Sequence, residues 1–406
     1  MNLQLSKTKR ILALIAILFS SVVVMADLVM VPVIGQIYGY YPENMNAVNY
    51  IVSGPALILL VASLATPLLT RIIDKKIVFI IGAAVFAVGA VLGVAIDNPY
   101  YICFTRTLVG VGEGMVNVIG VAYIADLYED AKMRARINGF YSAALSLSGM
   151  IFSYFAGILG TQGWMATYKI YYFTAIPMLV MAILFVPSVK RDKTGETADS
   201  AAKDKSKKEK LGWKFWHMSI GWFVMNIALG ATVLYFISSY VTETGIGDSV
   251  AAGNAAALKS IFGFLLGLIF GWMLEKCKRY TITWSYLIAA VTLVLLVMFP
   301  SQFMLYVIGT VCGLTYKIGM PYNYSHGFEI VPASRADDAV SITTAVYGLG
   351  TFLSTYCANW LVSLMKTEGN LPTWWVWAVV MAILFVADLI AIAKEKAEER
   401  EVKQAH

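Results

Sequence analysis

Long apolar runs, separated by short polar segments, recur along the whole chain. The first extends from Ile11 to Ile37. Others occupy roughly 45–69, 77–97, 100–125, 135–161, 166–187, 213–242, 250–274, 281–300, 302–327, 337–365 and 372–393. Each has about 20 residues or more, enough for an α-helix to cross a bilayer with some tilt. The pattern therefore predicts an all-α membrane protein with twelve transmembrane helices. The first run has too long a core, and no small-residue cleavage site, to be a signal peptide.

Charge in the intervening segments orients the spans. With the N-terminus in the cytoplasm, the outer loops hold only Lys169 and Lys366. The spans hold Arg106, Lys259 and Lys317, and the remaining 26 of the 31 Lys and Arg residues fall inside. So lopsided a division fits the positive-inside rule with both termini cytoplasmic, in a multi-pass cytoplasmic (inner) membrane protein. Tyr38, Tyr40, Tyr41, Trp164, Trp374, Trp375 and Trp377 fall near outer ends, where aromatic belts form. One long polar stretch, KRDKTGETADSAAKDKSKKEK at 190–210, has no apolar periodicity and reads as a flexible cytoplasmic linker. It divides the chain into a six-helix bundle at 1–189 and a second at 211–406, which ends in a short charged tail.

The halves repeat weakly at an offset near 200 residues. Thr66–Arg71 after the second run matches Gly271–Lys276 after the eighth. Asp126 and Arg134 match Glu329 and Arg335, and Gly110 matches Gly313.

Composition removes several function classes. The chain of 406 residues is 59% hydrophobic and 14% charged, with a mean hydropathy of +0.70, far too apolar for a soluble domain. Its net charge of +6 sits in short loops and does not imply nucleic acid. Four cysteines without C-x-x-C spacing and three histidines give no expectation of disulfides, a metal site or a cofactor. No nucleotide-binding loop or catalytic motif is present, so neither an enzyme nor a primary pump is expected.

The fourth run carries the most informative chemistry. YYICFTRTLVGVGEGMVNVIGVAYIAD, Tyr100 to Asp126, contains Arg106, Glu113 and Asn117 within roughly 40° of one helical face. Arg106 and Glu113 lie about 10 Å apart along the axis, too far for a simple pair. A charge at mid-membrane depth costs about 2.5–3.5 kcal/mol on insertion scales, so each needs a partner from another helix, a solute or water. Either could serve only as interhelical glue. Gly110, Gly112, Gly114 and Gly120 permit close backbone approach.

Six plus six spans, a central linker, basic inner loops and Arg106-Thr-Leu-Val-Gly110 in the fourth span resemble the major facilitator superfamily of secondary transporters. The resemblance covers about residues 11–393. It implies two pseudo-symmetric six-helix bundles around a central cavity lined by the first, fourth, seventh and tenth spans. The family's loop signature, G-x-x-x-D-R-x-G-R-[RK], is degraded in the first half, where Thr70 and Ile73 replace its Asp and second Gly but Arg71 remains. The second half keeps Gly271-Trp-Met-Leu-Glu275-Lys276 and Arg279. The resemblance implies a cytoplasmic latch for Arg71, Glu275 and Arg279, joined by the repeat-matched Asp126, Arg134, Glu329 and Arg335. Two signals on transport direction disagree. Tyr154 stands where drug:proton antiporters usually have a proline, whereas Asp27 resembles the acidic residue many of them keep in the first span.

Within that frame, Ser20, Asp27 and Tyr38 share a face of the first span. Tyr306, Thr310, Gly313, Lys317 and Tyr324 share a face of the tenth, and Asn226 and Tyr240 one of the seventh. Lys259 is a further mid-depth cation. Asp388, six residues before Lys394, reads as interfacial. Asp27 and Glu113 are the carboxyls placed to bind and release a proton. Arg106, Lys317, Lys259, Asn117, Tyr306, Tyr324, Asn226 and Tyr240 are the candidate substrate-binding residues. Three mid-span cations against two acids favour an anionic solute, with Arg106 and Lys317 as its clamp, and the tyrosines suit an organic body. The expected function is a monomeric secondary transporter, an organic-anion:proton symporter driven by the proton gradient. The alternatives are a proton-coupled drug or metabolite efflux antiporter and a non-transporting membrane sensor.

Overall fold

A computed structural model describes residues 6–70, 72–128, 131–188, 211–331 and 336–405. The linker at 190–210, Arg71 and Arg335 lie outside the described residues, as do the side chains of Arg134, Lys317, Tyr324 and Glu329. Among the described residues the regular structure is entirely helical. Fourteen segments order the chain: α1 Lys7–Phe19, α2 Ile34–Tyr40, α3 Met45–Leu69, α4 Lys75–Val91, α5 Pro99–Leu127, α6 Ala131–Gly160, α7 Lys169–Phe185, α8 Trp213–Leu229, α9 Ile237–Thr244, α10 Ser249–Cys277, α11 Tyr280–Met298, α12 Gln302–Ile330, α13 Ala336–Met365 and α14 Trp374–Ala405.

Nine helices among the described residues are long and apolar enough to span a membrane, or ten when the bent pair Lys7–Val24 and Ala26–Tyr40 counts as one. Two runs that the sequence counts as spans fall outside that set. One is α4, only 17 residues long, and the other is α13, whose 30 residues include many Ser, Thr, Tyr and Asn.

By contact density the chain forms two compact units. The first comprises Met1–Gly195 with Tyr235–Phe264, and the second Glu196–Leu234 with Leu265–His406. Packing and chain order thus divide the molecule differently, since α9 and the first part of α10 pack with the N-terminal helices.

In the first unit, α5 is clasped between α3 and α4. A Cβ on Gly110 would lie 2.8 Å from the Pro55 carbonyl oxygen, one on Gly114 2.6 Å from that of Leu59, and one on Gly112 2.5 Å from Phe86 Cβ. These glycines therefore bring three backbones closer than any side chain would allow. The other crossing joins α6 and α10, where Gly157 and Gly253 meet. A Cβ on Gly253 would lie 2.6 Å from the Ser153 carbonyl and 2.8 Å from Gly157 Cα.

The second unit packs around Trp222 of α8. Gly319 of α12 leaves the space its ring fills, and Tyr347 of α13 stacks on it at 6.2 Å.

The first span departs from the single helix its apolar run predicts. After α1 and one more turn, Ser21–Val24, the backbone passes through two 3-10 turns, Ala26–Val29 and Val31–Val33, before α2. The two parts diverge by 48°. Pro32 supplies the reason, because it has no N–H to donate and its ring would clash with the Leu28 carbonyl of a continuous helix. Non-helical backbone at membrane depth is tolerated where protein buries it. Here Tyr171 Oη donates to the Ala26 carbonyl at 3.0 Å, and Ser238 Oγ to that of Pro32 at 2.8 Å. The shared face expected for Ser20, Asp27 and Tyr38 assumed one helix and does not survive this break.

Candidate functional site: a buried ion pair at the broken helix

Asp27 lies in the first 3-10 turn, where the break turns its side chain toward α5. Arg106 of α5 donates through Nη2 to Asp27 Oδ1. Its side chain is 1% exposed, against 22% for Asp27. The other two guanidinium nitrogens are also engaged. Nε donates to the Ile51 carbonyl at 2.9 Å, and Nη1 lies 3.5 Å from Tyr171 Oη. The acceptor at Ile51 follows from sequence. Pro55, four residues on within α3, has no N–H, so the Ile51 carbonyl is left without its helical partner and is free for Arg106. Tyr171 thus ties the pair to the broken backbone at Ala26.

Glu113 lies two turns further along α5 and is fully buried. Neither carboxyl oxygen makes a hydrogen bond among the described residues. Its polar neighbours are Asp27, through side chain and backbone, and Arg106. Desolvating an unpaired carboxylate is expensive, so the site suits a carboxyl that alternates between neutral and charged forms. The structure brings Asp27, Arg106 and Glu113 together, and the partner from another helix that Arg106 requires is Asp27. Because that guanidinium is already engaged, it does not stand as an open anion clamp in this conformation.

The other sequence-selected residues lie elsewhere. Asn117 is half-buried and accepts from Tyr141 Oη at 3.4 Å. Lys259 is buried on α10 beside Ser260, which packs against Gly149 of α6. Tyr240 is buried on α9. In the second unit, Asn226 donates to the Trp222 carbonyl of its own helix at 2.7 Å and abuts Gly350. Tyr306 accepts from Gln302 at 2.9 Å near the start of α12.

Of the latch residues, Asp126 pairs with Lys75 at 2.7 Å and Glu275 is exposed. Arg279 is bound within the second unit, to Asp388 at 2.8 Å and Glu395 at 3.2 Å. This corrects the interfacial reading of Asp388, whose residue is only 3% exposed. Sequence spacing pointed to Lys394, but the partners come from other helices, Arg279 and Thr283 near the start of α11 and His217 from α8. The available signal was an acid within a strongly apolar run, which by itself calls for a partner.

Comparison with known proteins now decides the family. The family model described as Major Facilitator Superfamily matches residues 12–262 and 223–406.

The chain belongs to the Major Facilitator Superfamily.

Solved structures of like fold include a D-xylose-proton symporter, with a TM-score of 0.72 and 16% identity over 94% of this chain and 97% of that one. A bacterial homolog to the human lysosomal transporter Spinster gives a TM-score of 0.68 and 16% identity, covering 95% of each chain. At such identity these show the shared fold alone.

Sequence relatives include the sugar transport protein MST8 of Oryza sativa subsp. japonica, 29% identical over 134 residues, which are 32% of this chain and 25% of that protein. The hexose carrier protein HEX6 of Ricinus communis is 32% identical over 133 residues, 32% of this chain and 26% of the carrier. The methylenomycin A resistance protein of Bacillus subtilis (strain 168) is 26% identical over 128 residues, 31% of this chain and 28% of that protein. The matches span only about a quarter of each relative's length. The family assignment agrees with the nine or ten helices among the described residues that are long and apolar enough to cross a membrane.

Proposed function

We propose that the protein is a proton-coupled secondary transporter of a small organic solute, with an organic anion as the preferred class. The observation that carries this reading is the Asp27–Arg106 pair at a broken helix with the unpartnered Glu113 beside it. A carrier driven by a proton gradient needs a carboxyl that can gain and lose a proton as the solute binds and leaves. Glu113 is buried with no side-chain partner among the described residues, and Asp27 already has a counterion. Glu113 is therefore the coupling carboxyl, and Asp27–Arg106 the pair that responds to its charge.

The preference for an anion rests on charge. Three cations, Arg106, Lys259 and Lys317, lie at mid-span positions of the sequence against two acids there, Asp27 and Glu113. The protein works as a monomer in the cytoplasmic membrane, with both termini on the basic, cytoplasmic side. A second reading, transport of an uncharged sugar or export of a drug, draws on the named relatives among sugar carriers and a resistance protein.

Reconstituted liposomes with an imposed pH gradient test both. Uptake of a labelled carboxylate driven by an inward proton gradient, lost in Glu113→Gln while exchange without a gradient persists, supports the proposal. Full gradient-driven accumulation in both Glu113→Gln and Asp27→Asn removes these carboxyls from coupling. Transport of hexoses or cationic drugs with no response to carboxylates replaces the anion reading with the second one.

A further inference from the structure

Two open cavities in the first unit lie outside the proposed transport chemistry. They sit at the ends of α2 and α6 that the charge pattern assigns to the outside. Gln36, Gly39, Tyr40, Gln162 and Trp164 line one, of about 410 Å³. Gln36, Thr161, Ser238, Thr242, Asp248 and Ser249 line the other, of about 350 Å³. Gln36 is the wall they share. Both volumes fall in the range of about 300–1,000 Å³ typical of small-molecule sites. Asp27, Arg106 and Glu113 line neither.

No charged side chain lines the first cavity. Its aromatic wall is held firmly. Tyr40 Oη donates to Asp97 at 2.7 Å, and the ring meets Tyr41 at 4.8 Å and Trp164 at 5.8 Å, both edge to face. Tyr40 is nevertheless 49% exposed. A ring fixed in place yet half bare is a prepared platform for an apolar ligand face. The two amides are oriented as well. Gln36 donates one N–H to the Gly160 carbonyl at 3.0 Å, and Gln162 accepts from Lys169 at 3.3 Å. An amide has two donors and two lone pairs, so each keeps hydrogen-bonding capacity. Gly39 fits the same picture. Glycine within a helix is destabilising relative to alanine. Here φ is not positive, and a Cβ would meet nothing within 4 Å, so neither backbone nor packing calls for it. The missing side chain keeps the cavity open.

The second cavity offers acceptors. The hydroxyls of Thr161, Ser238, Thr242 and Ser249 donate to the carbonyls of Ile158, Pro32, Ser238 and Gly157. Asp248 Oδ1 accepts from the N–H groups of Val250 and Ala251. With those protons committed, the hydroxyls and the carboxylate present lone pairs. Such a lining disfavours an anion. It suits a ligand whose own hydroxyls donate there and also accept from the amides beside them.

We propose that the two cavities form an outer binding site for a neutral polyhydroxylated ring, a sugar or cyclitol, which lays its C–H face on Tyr40 and turns its hydroxyls to Gln36 and the Asp248 side. The site is separate from the Asp27–Arg106–Glu113 pair and does not rest on what that pair transports.

Calorimetric titration of the full-length protein in lipid nanodiscs, free of sugar-headed detergent, tests this with D-glucose and myo-inositol as probes. Both should bind saturably, and gluconate and choline at the same concentrations should not. Gly39→Leu fills the first cavity from a position where a side chain meets no neighbour, and should weaken glucose at least about tenfold. Gly267→Leu, at a helical glycine equally open but outside both linings, should bind as wild type. Gln162→Leu should weaken glucose about three- to tenfold through the lost hydrogen bond. In hydrogen–deuterium exchange, glucose should protect Gln36–Tyr41 and Gly160–Trp164 and leave Tyr100–Glu113 of α5 unchanged. The proposal is overturned if neither probe saturates, if Gly39→Leu binds as tightly as wild type, or if choline or gluconate binds as well as glucose. Protection on α5 instead would also overturn it, by moving the sugar to the ion-pair site. Loss of proton-coupled uptake would count against the transport reading and leave this binding result standing.

Discussion

Arg106 and Asp27, 79 positions apart, form an ion pair that holds the broken first span against α5. The pair is asymmetric, because Arg106 is almost fully enclosed and Asp27 is partly exposed. Removing one partner of a buried pair typically costs about 3–5 kcal/mol, because the other charge is left uncompensated. Asp27→Asn should therefore lower thermal stability more than Arg106→Gln, and the double variant should be more stable than the sum of the two losses predicts. Thermal unfolding of the four proteins in one detergent measures the cycle. Additive losses would mean that the two side chains do not act as a pair.

The glycine crossing of α6 and α10 gives a sharper steric expectation. A Cβ on Gly253 has backbone atoms within 2.6–2.8 Å, whereas one on Gly267 of the same helix meets nothing within 4 Å. Gly253→Ala should destabilise by about 1–3 kcal/mol as the helices are forced apart. Gly267→Ala should stabilise by about 0.5–1 kcal/mol through lower backbone entropy in the unfolded chain. Equal melting shifts for the two variants would contradict the close crossing.

Lys317 separates the solute classes. Losing a hydrogen bond to a charged group costs about 1.5–3 kcal/mol, or roughly ten- to a hundredfold in affinity. Lys317→Gln should weaken an anionic solute on that scale and a neutral analogue little. Cation efflux predicts the reverse, with cation binding intact or improved. Binding isotherms for one solute of each kind give the answer, and equal losses would leave Lys317 with a structural role only.

A pH response is expected away from the spans. Asp97 accepts from Tyr41 Oη and, at 2.7 Å, from Tyr40 Oη, and these hydrogen bonds hold its carboxyl below the usual carboxylate value. The folded state therefore favours the ionised form. Its stabilisation is present above the ordinary carboxylate value of about 3.9 and is lost as pH falls through the lower folded value. Asp97→Asn should melt below wild type at neutral pH, and the gap should narrow as pH falls below the ordinary carboxylate value. A gap that stays constant through acid titration would exclude ionisation as its source.

Much of the first-unit site was legible. Arg106, Glu113 and Asp27 stand out because ionisable residues are rare in apolar runs and are kept there only with partners or function. Three parts were not read. The break in the first span hid behind uniform hydrophobicity, although Pro32 announced it. The acceptor at Ile51 for Arg106 depends on Pro55, a residue whose effect is to leave another group's oxygen free. Asp388 read as interfacial because Lys394 is its neighbour in sequence, while its partners on α8 and α11 are not.

The sequence by itself determined that the chain is built of membrane-length apolar helices, that its basic residues crowd into the polar segments between them, and that few charges enter the spans. Each of these follows from local composition, since the length of a crossing helix and the rarity of charge in apolar runs can be read without knowing which helices are neighbours. Tertiary structure decided which of those charges neutralise one another. Pairing requires two side chains within about 3 Å, and that is fixed by which helices the glycines of α5 allow to touch and by where Pro32 bends the first span. Arg106 found Asp27, Glu113 was left without a side-chain partner among the described residues, and Asp388 became the meeting point of three helices, because packing sets those distances and hydropathy does not.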